Sequence, residues 1–140
     1  MVAAGEVEPA LLDLIRRSRR PLLGVCYGHQ VLAAAFGARV IKDEVKHLGD
    51  EDIRVAAGHE LFASLPAVFG MRESHEESVA RDQDLDKNFM VLAESGPGRV
   101  EVIVHREQPF FGVQFHPEKS GEAGVKLLGN FLKQIVFSRQ

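Results

Sequence analysis

At 140 residues with 45% hydrophobic and 26% charged content, the chain reads as one soluble domain with enough length to bury a core. A net charge of −3 argues against general nucleic-acid binding, and the apolar runs are too short to cross a membrane. A single cysteine excludes an internal disulfide and points to a reducing, cytoplasmic setting; the N-terminus carries no apolar signal core.

The predicted elements run as follows. Glu8 to Arg17 has Leu11, Leu12, Leu14 and Ile15 at helical spacing, with Pro9 suited to the first turn and Arg16–Arg20 to a solvated C-terminal end. Leu22 to Val25 is a buried strand, and Gly28 to Phe36 a helix closed by Gly37. Arg39 to Lys42 and Ile53 to Val55 are short strands around a polar loop, Asp43–Asp52. A helical turn follows at His59 to Leu65, then strands at Val68 to Met71, Met90 to Ala93, Val100 to Val104 and Phe110 to Phe115. Ser74-His75 reads as a polar turn, and Asp82–Lys87 and Ser95–Arg99 as turn-rich connections. Gly121 to Val136 closes the chain as an amphipathic helix. No repeats appear. The mixture implies an α/β fold with an open mixed sheet between helical layers.

Two segments carry chemistry. Gly24-Val25-Cys26-Tyr27-Gly28 puts the cysteine where a buried strand turns sharply into a helix, the layout of a nucleophile elbow. Glycine suits a turn whose backbone closes on itself, and the helix N-terminus favours thiolate. A lone cysteine beside an apolar run is also how a small core residue looks. Downstream, Phe110-Phe111-Gly112-Val113-Gln114-Phe115-His116-Pro117-Glu118 is an apolar strand stopped by proline. His116 stands at the strand end, with Glu118 spaced to orient its ring; alone, the tripeptide also fits a surface turn. A thiol, a histidine to activate it and a third group to steer the histidine form the logic of covalent catalysis. His47, His59, His75 and His105 form no close-spaced ligand set, so no metal site is expected. His29 reads as a helix-start residue rather than a second base.

Gly24 to Gln30 and Gly112 to Glu118 resemble the two signature motifs of the class I, triad-type glutamine amidotransferases, and the likeness runs from about Leu11 to the C-terminus. The resemblance implies a flavodoxin-like, mostly parallel sheet. It implies Cys26 as nucleophile, His116 as general base and acid, and Glu118 as its orienting group. Tyr27 would lend its backbone N–H to an oxyanion hole, with Gly28 and Gln30 at the substrate. Glu73-Ser74-His75-Glu76-Glu77-Ser78-Val79 resembles the Ser-His-x-x-x-Val segment of the glutaminase part of GMP synthase, where the Ser74-His75 backbone would contact glutamine. Other branches, such as the anthranilate synthase and imidazole glycerol phosphate synthase subunits, share the two main motifs.

The implied activity is hydrolysis of L-glutamine through a γ-glutamyl thioester, with no cofactor. Ammonia would pass to a partner synthetase, of ATP-pyrophosphatase type if XMP is aminated to GMP, because this chain has no nucleotide-binding loop. A γ-glutamyl-peptide cysteine hydrolase and a non-catalytic binding protein of the same fold are the alternatives. In matching proteins a strand-helix-strand portion and a Gly-rich loop precede the elbow, and that loop gives a second oxyanion donor. No Gly-Gly-Pro or Pro-Ser-Gly stretch precedes Cys26 here, so the resemblance implies a domain lacking those first strands. A truncated gene, a completing second chain and a degenerate protein all remain open. One oxyanion donor is typically worth about 2.7–4 kcal/mol.

Overall fold

The computed structural model describes residues 1–139. Helix α1 spans Pro9–Arg17, with Pro9 in the first turn and Glu8 capping it through a contact to the Ala10 N–H. It is followed by β1 (Leu22–Val25), α2 (Tyr27–Ala35), β2 (Val40–Val55) and β3 (Val68–Val79). Then come α3 (Gln83–Asn88), β4 (Phe89–Ser95), β5 (Arg99–His105), β6 (Phe110–Val113) and α4 (Gly121–Asn130), which continues as a π-helical segment, Phe131–Val136.

The six strands form one mixed sheet in the order β1-β6-β5-β4-β2-β3. Among the described residues only β1 and β6 run parallel; the other four pairings are antiparallel. The expected mixed sheet is present, but its mostly parallel character is not. Parallel neighbours need a long crossover, and β4, β5 and β6 follow one another through connections of hairpin length. The sheet also curls. An antiparallel bridge joins Arg72 of β3 to His116, just beyond β6, with the His116 N–H donating to the Arg72 carbonyl at 2.8 Å.

Alternation along the strands divides the core in two. Phe111, Val113, Val102 and Met71 face one way and pack with Leu127, Phe131 and Ile135 of the C-terminal helix. Phe110, Ile103, Val100 and Phe89 face the other way, against Leu32 and Ala33 of α2. Each fully buried large apolar side chain contributes about 1.5–3 kcal/mol, so the two layers hold the sheet from both sides.

Three expectations are corrected. The polar loop at Asp43–Asp52 is instead the middle of the 16-residue strand β2. The short strand ending at Met71 continues to Val79, so Ser74-His75 lies inside β3 and not at a turn. Asp82–Lys87 contains a helix, capped by the Asp82 carboxylate on the Leu85 N–H and anchored by fully buried Leu85. In β2 and β3 the inward positions change from apolar to ionisable: Asp43, His47 and Glu51 on β2, Glu73, His75 and Glu77 on β3. Such a segment has strand geometry without the hydrophobic signature of one.

The β1–α2 junction depends on Gly24. A Cβ there would lie 2.5 Å from the Gly28 carbonyl oxygen, whereas one on Gly28 would meet nothing within 4 Å. The steric demand for glycine falls on one side of the elbow only. Gly24→Ala is expected to destabilise the protein by about 1–3 kcal/mol. Gly28→Ala is expected to be neutral or stabilising by up to about 1 kcal/mol. Urea unfolding midpoints of the two variants check this contrast.

Candidate active site

Cys26 occupies the turn between β1 and α2 with φ 53° and ψ −102°, a left-handed backbone that costs a non-glycine residue about 1–3 kcal/mol. The surroundings hold it there. Its N–H donates to the Val113 carbonyl at 2.8 Å, extending the parallel β1–β6 pairing by one residue, and its carbonyl accepts the first helical bond from the Gln30 N–H. The thiol is therefore presented at the C-terminal end of β1, beside the C-terminal end of β6, where Gln114 and His116 follow Val113.

Among the described residues the sulfur meets the Tyr27 backbone N–H, the Ser74 carbonyl and the Gln114 side-chain amide. The thiol donates to the Ser74 carbonyl at 3.5 Å, and the Gln114 side-chain amide donates to the sulfur at 3.7 Å. Burial pushes the Cys26 thiol pKa up. The Tyr27 backbone N–H and the Gln114 amide work against that, while the negative charges of Glu73 and Glu118 add to it. The resting sulfur is thus a protonated thiol awaiting a base.

His116 Nδ1 contacts Glu118 Oε2 at 3.0 Å, which leaves Nε2 as the ring nitrogen free for proton transfer. Burial pushes the Glu118 carboxyl up, but the His116 hydrogen bond, its own N–H and the His116 and Lys119 charges together bring it below the ordinary carboxylate value. Glu118 therefore stays ionised and keeps the ring oriented. Ser120 fixes the segment: its Oγ donates to the His116 carbonyl at 2.6 Å and accepts from the Arg72 N–H at 2.9 Å.

Strand β3 ties the two halves together. The carbonyl of Arg72 holds the His116 backbone and the carbonyl of Ser74 receives the Cys26 thiol. Residues two apart on a strand direct their carbonyls to the same side, so one edge of β3 faces both the thiol and the histidine segment. No direct hydrogen bond joins Cys26 to His116 among the described residues; such contacts are commonly long before substrate arrives.

The remaining motif residues divide between surface and interior. Tyr27 is half-exposed at the helix start and, with Gly28, lines an apolar groove of about 200 Å³ against Leu11 and Ile15 of α1. Gln30 is buried and donates both amide hydrogens internally, to the Glu77 carbonyl at 2.8 Å and Gln114 Oε1 at 3.3 Å. It braces α2 against β3 and β6. Ser74 is exposed, while His75 turns inward. His29 lies completely buried against Gly112, and burial takes its pKa down to about 3, which removes it as a base.

Gln114 has a role that the motif reading left unassigned. It links Gln30 to the sulfur, and only the tertiary pairing of β1 with β6 exposes that link. The structure also gathers a buried group unseen in sequence spacing: ligand-type atoms of Glu73, His75 and Glu101 lie within 4.8 Å of one another. Glu101 comes from β5, brought over β3 by the curl of the sheet.

Comparison with known proteins follows the same lines. The family model described as glutamine amidotransferase class-I matches residues 2–135. The glutamine-hydrolyzing GMP synthase subunit of Methanococcus aeolicus is 38% identical over 123 residues, covering 87% of this chain and 64% of that protein. Anthranilate synthase component 2 of Azospirillum brasilense is 37% identical over 123 residues, covering 87% of this chain and 62% of the relative. A Thermoplasma acidophilum crystal structure, described as that of a GMP synthase subunit, superposes with a TM-score of 0.78 at 28% identity, covering 88% of this chain and 61% of that one. The chain thus spans a little under two thirds of these relatives. No helix among the described residues is long and apolar enough to cross a membrane.

Gln114→Leu removes the one side-chain donor on the sulfur among the described residues. The expected outcome is iodoacetamide alkylation of Cys26 slowed about 2–10-fold at neutral pH, the equivalent of one modest hydrogen bond, with the pH midpoint of alkylation moved upward.

Proposed function

The chain belongs to the class-I glutamine amidotransferase family, and on that premise we propose that it hydrolyses L-glutamine to glutamate and ammonia through a γ-glutamyl thioester on Cys26. The observation that carries this reading is a thiol held on strained backbone beside the strand end that bears the 3.0 Å His116–Glu118 pair.

His116 Nε2 takes the Cys26 proton as the sulfur attacks the side-chain amide carbon of glutamine. The Tyr27 N–H faces the developing oxyanion, one donor of the kind such intermediates require. The tetrahedral intermediate collapses as His116 returns its proton to the leaving nitrogen, and ammonia departs. His116 then deprotonates water, which attacks the thioester carbonyl; collapse expels the thiolate, which recovers its proton, and releases glutamate. Glu118 keeps its charge throughout and stabilises the imidazolium formed twice in the cycle. The exposed Ser74 edge of β3 offers backbone groups beside the sulfur to the amino-acid end of the substrate.

The ammonia goes to a partner synthetase. Relatives named as glutamine-hydrolyzing GMP synthase subunits support a partner that forms GMP, and the Ser74-His75 segment supports the same branch; the partner proposed here is an ATP-pyrophosphatase that aminates XMP. The anthranilate synthase relative keeps that pathway as the second reading of the acceptor.

Cys26→Ser is expected to lower glutamate release by about 10³-fold or more and to abolish labelling by a glutamine-like diazoketone; retained turnover would refute the nucleophile assignment. Assays with and without the ATP-pyrophosphatase component of an archaeal GMP synthase test the partner. The expected result is higher glutaminase activity with it, and a protein equally active alone on γ-glutamyl peptides would favour the hydrolase alternative.

A further inference from the structure

Beneath Ser74, on the inward side of β3, the hydrogen bonding of Glu73 and His75 demands more protons than their ordinary forms carry. His75 Nδ1 lies 2.9 Å from the Glu77 carbonyl and Nε2 lies 2.7 Å from Glu73 Oε1. A carbonyl can only accept, so Nδ1 bears a hydrogen. A second proton must then sit between Nε2 and Oε1, whichever atom owns it. Glu101 Oε2 accepts from Ser95 Oγ at 2.6 Å. That leaves Glu73 Oε2 and Glu101 Oε1 fully buried without a partner. Two buried carboxylates in contact cannot both stay ionised. A third proton, shared in the side-chain contact between the Glu73 and Glu101 carboxyls, removes that conflict.

The count closes. Two carboxylates and a neutral ring, plus two shared protons, carry no net charge, as a buried cluster requires. A divalent cation would give the same total, but it would hold each ligand atom at about 2.0–2.2 Å and spread them further apart. The 2.7 Å separation of Nε2 and Oε1 is that of a hydrogen bond. Burial, then contact with Glu73, pushes Glu101 up to about 9, and burial raises Glu73 as well.

Glu73 and His75 flank Ser74 in sequence, and the Ser74 carbonyl is the group that receives the Cys26 thiol. Locking the two inward side chains to each other and to Glu101 fixes the backbone between them. We propose that Glu73, His75 and Glu101 form a proton-sharing cluster, neutral as a whole, that positions the Ser74 carbonyl against Cys26 and presents Glu73 as its negative end to the sulfur. The inference rests on the glutaminase reading of Cys26; the three side chains are buried and act as positioning groups, none touching substrate. The ionisable groups facing the cluster are Asp43, His47 and Glu51 from β2, Arg99 from β5 and His29 from α2.

The sign of the pH effect follows. An acid whose folded pKa lies above its unfolded value contributes stability below the unfolded pKa and loses it as pH rises to the folded one. For Glu101 that window runs from 4.5 to about 9. Glutamine mimics the protonated acid: its amide donates to Glu73 and its oxygen accepts from Ser95. Glu101→Gln is therefore expected to melt higher than wild type at pH 8, the advantage shrinking as pH falls to 5. A Glu101→Gln melting temperature equal to or below wild type at pH 8, or a difference that does not change with pH, overturns the shared proton.

The second readout is the pH midpoint of Cys26 alkylation by iodoacetamide. Glu73→Gln is expected to lower it by removing the end of the neutral cluster whose negative charge acts on the sulfur, and Glu101→Gln to leave it in place below pH 8. An unchanged midpoint in folded Glu73→Gln overturns the coupling to the sulfur. If Glu73→Gln fails to fold, a midpoint displaced by Glu101→Gln does so. Neither measurement requires turnover, so a protein that shows these shifts but hydrolyses no glutamine keeps the cluster and loses the proposed reaction.

Discussion

The backbone of Cys26 is held at φ 53° by forces from three directions, and the placement of every other group at the site follows from that. Gly24 allows α2 to close on β1 at a distance no side chain would permit. The Val113 carbonyl captures the Cys26 N–H, and the Gln30 N–H captures the carbonyl. With both backbone groups committed, the residue cannot relax into an ordinary strand or helix conformation, and the sulfur projects from the top of the sheet. The strain is of order 1–3 kcal/mol. Burial of two apolar layers on either side of β1 and β6 readily offsets it.

The curl of the sheet supplies the second half of the site. Because β3 returns to bridge His116, one strand edge spans both the thiol and the imidazole segment. The same curl encloses a polar interior. Asp43, His47 and Glu51 face His75, Glu73 and Arg99, and the groups are held by one another and by neutral partners: Arg99 on Glu51 at 2.6 Å, the Ser78 hydroxyl on Asp43 at 2.6 Å, His47 stacked on His75 with ring centroids 4.9 Å apart. Buried ionisable groups persist only when so paired. Here the pairing stiffens the part of β3 that faces the sulfur, which links a costly interior to the precision of the surface above it.

The sequence was most legible where local chemistry and tertiary structure agree. The bounds of β1 coincide with the apolar run Leu22–Val25, and Cys26, His116 and Glu118 are marked by glycine and proline punctuation that a strand-to-helix turn and a strand end demand. Legibility failed along β2 and β3. Their inward residues are charged, so alternation of polarity vanishes although alternation of burial does not. The parallel-sheet expectation failed for a related reason: reading β2 and β3 as fragments hid a long antiparallel ribbon. Gln114 and Glu101 were out of reach because their roles arise from partners 84 to 88 residues away in one case and from another strand in the other.

The most direct measurement is intact-protein and peptide mass spectrometry of an acid-quenched reaction with L-glutamine. A γ-glutamyl adduct should appear on the peptide containing Cys26 at a rate consistent with glutamate release, and it should be absent when glutamine is omitted. Glutamate release with no acyl adduct at that rate, or an adduct mapped to another residue, would contradict the placement of the reaction at this elbow.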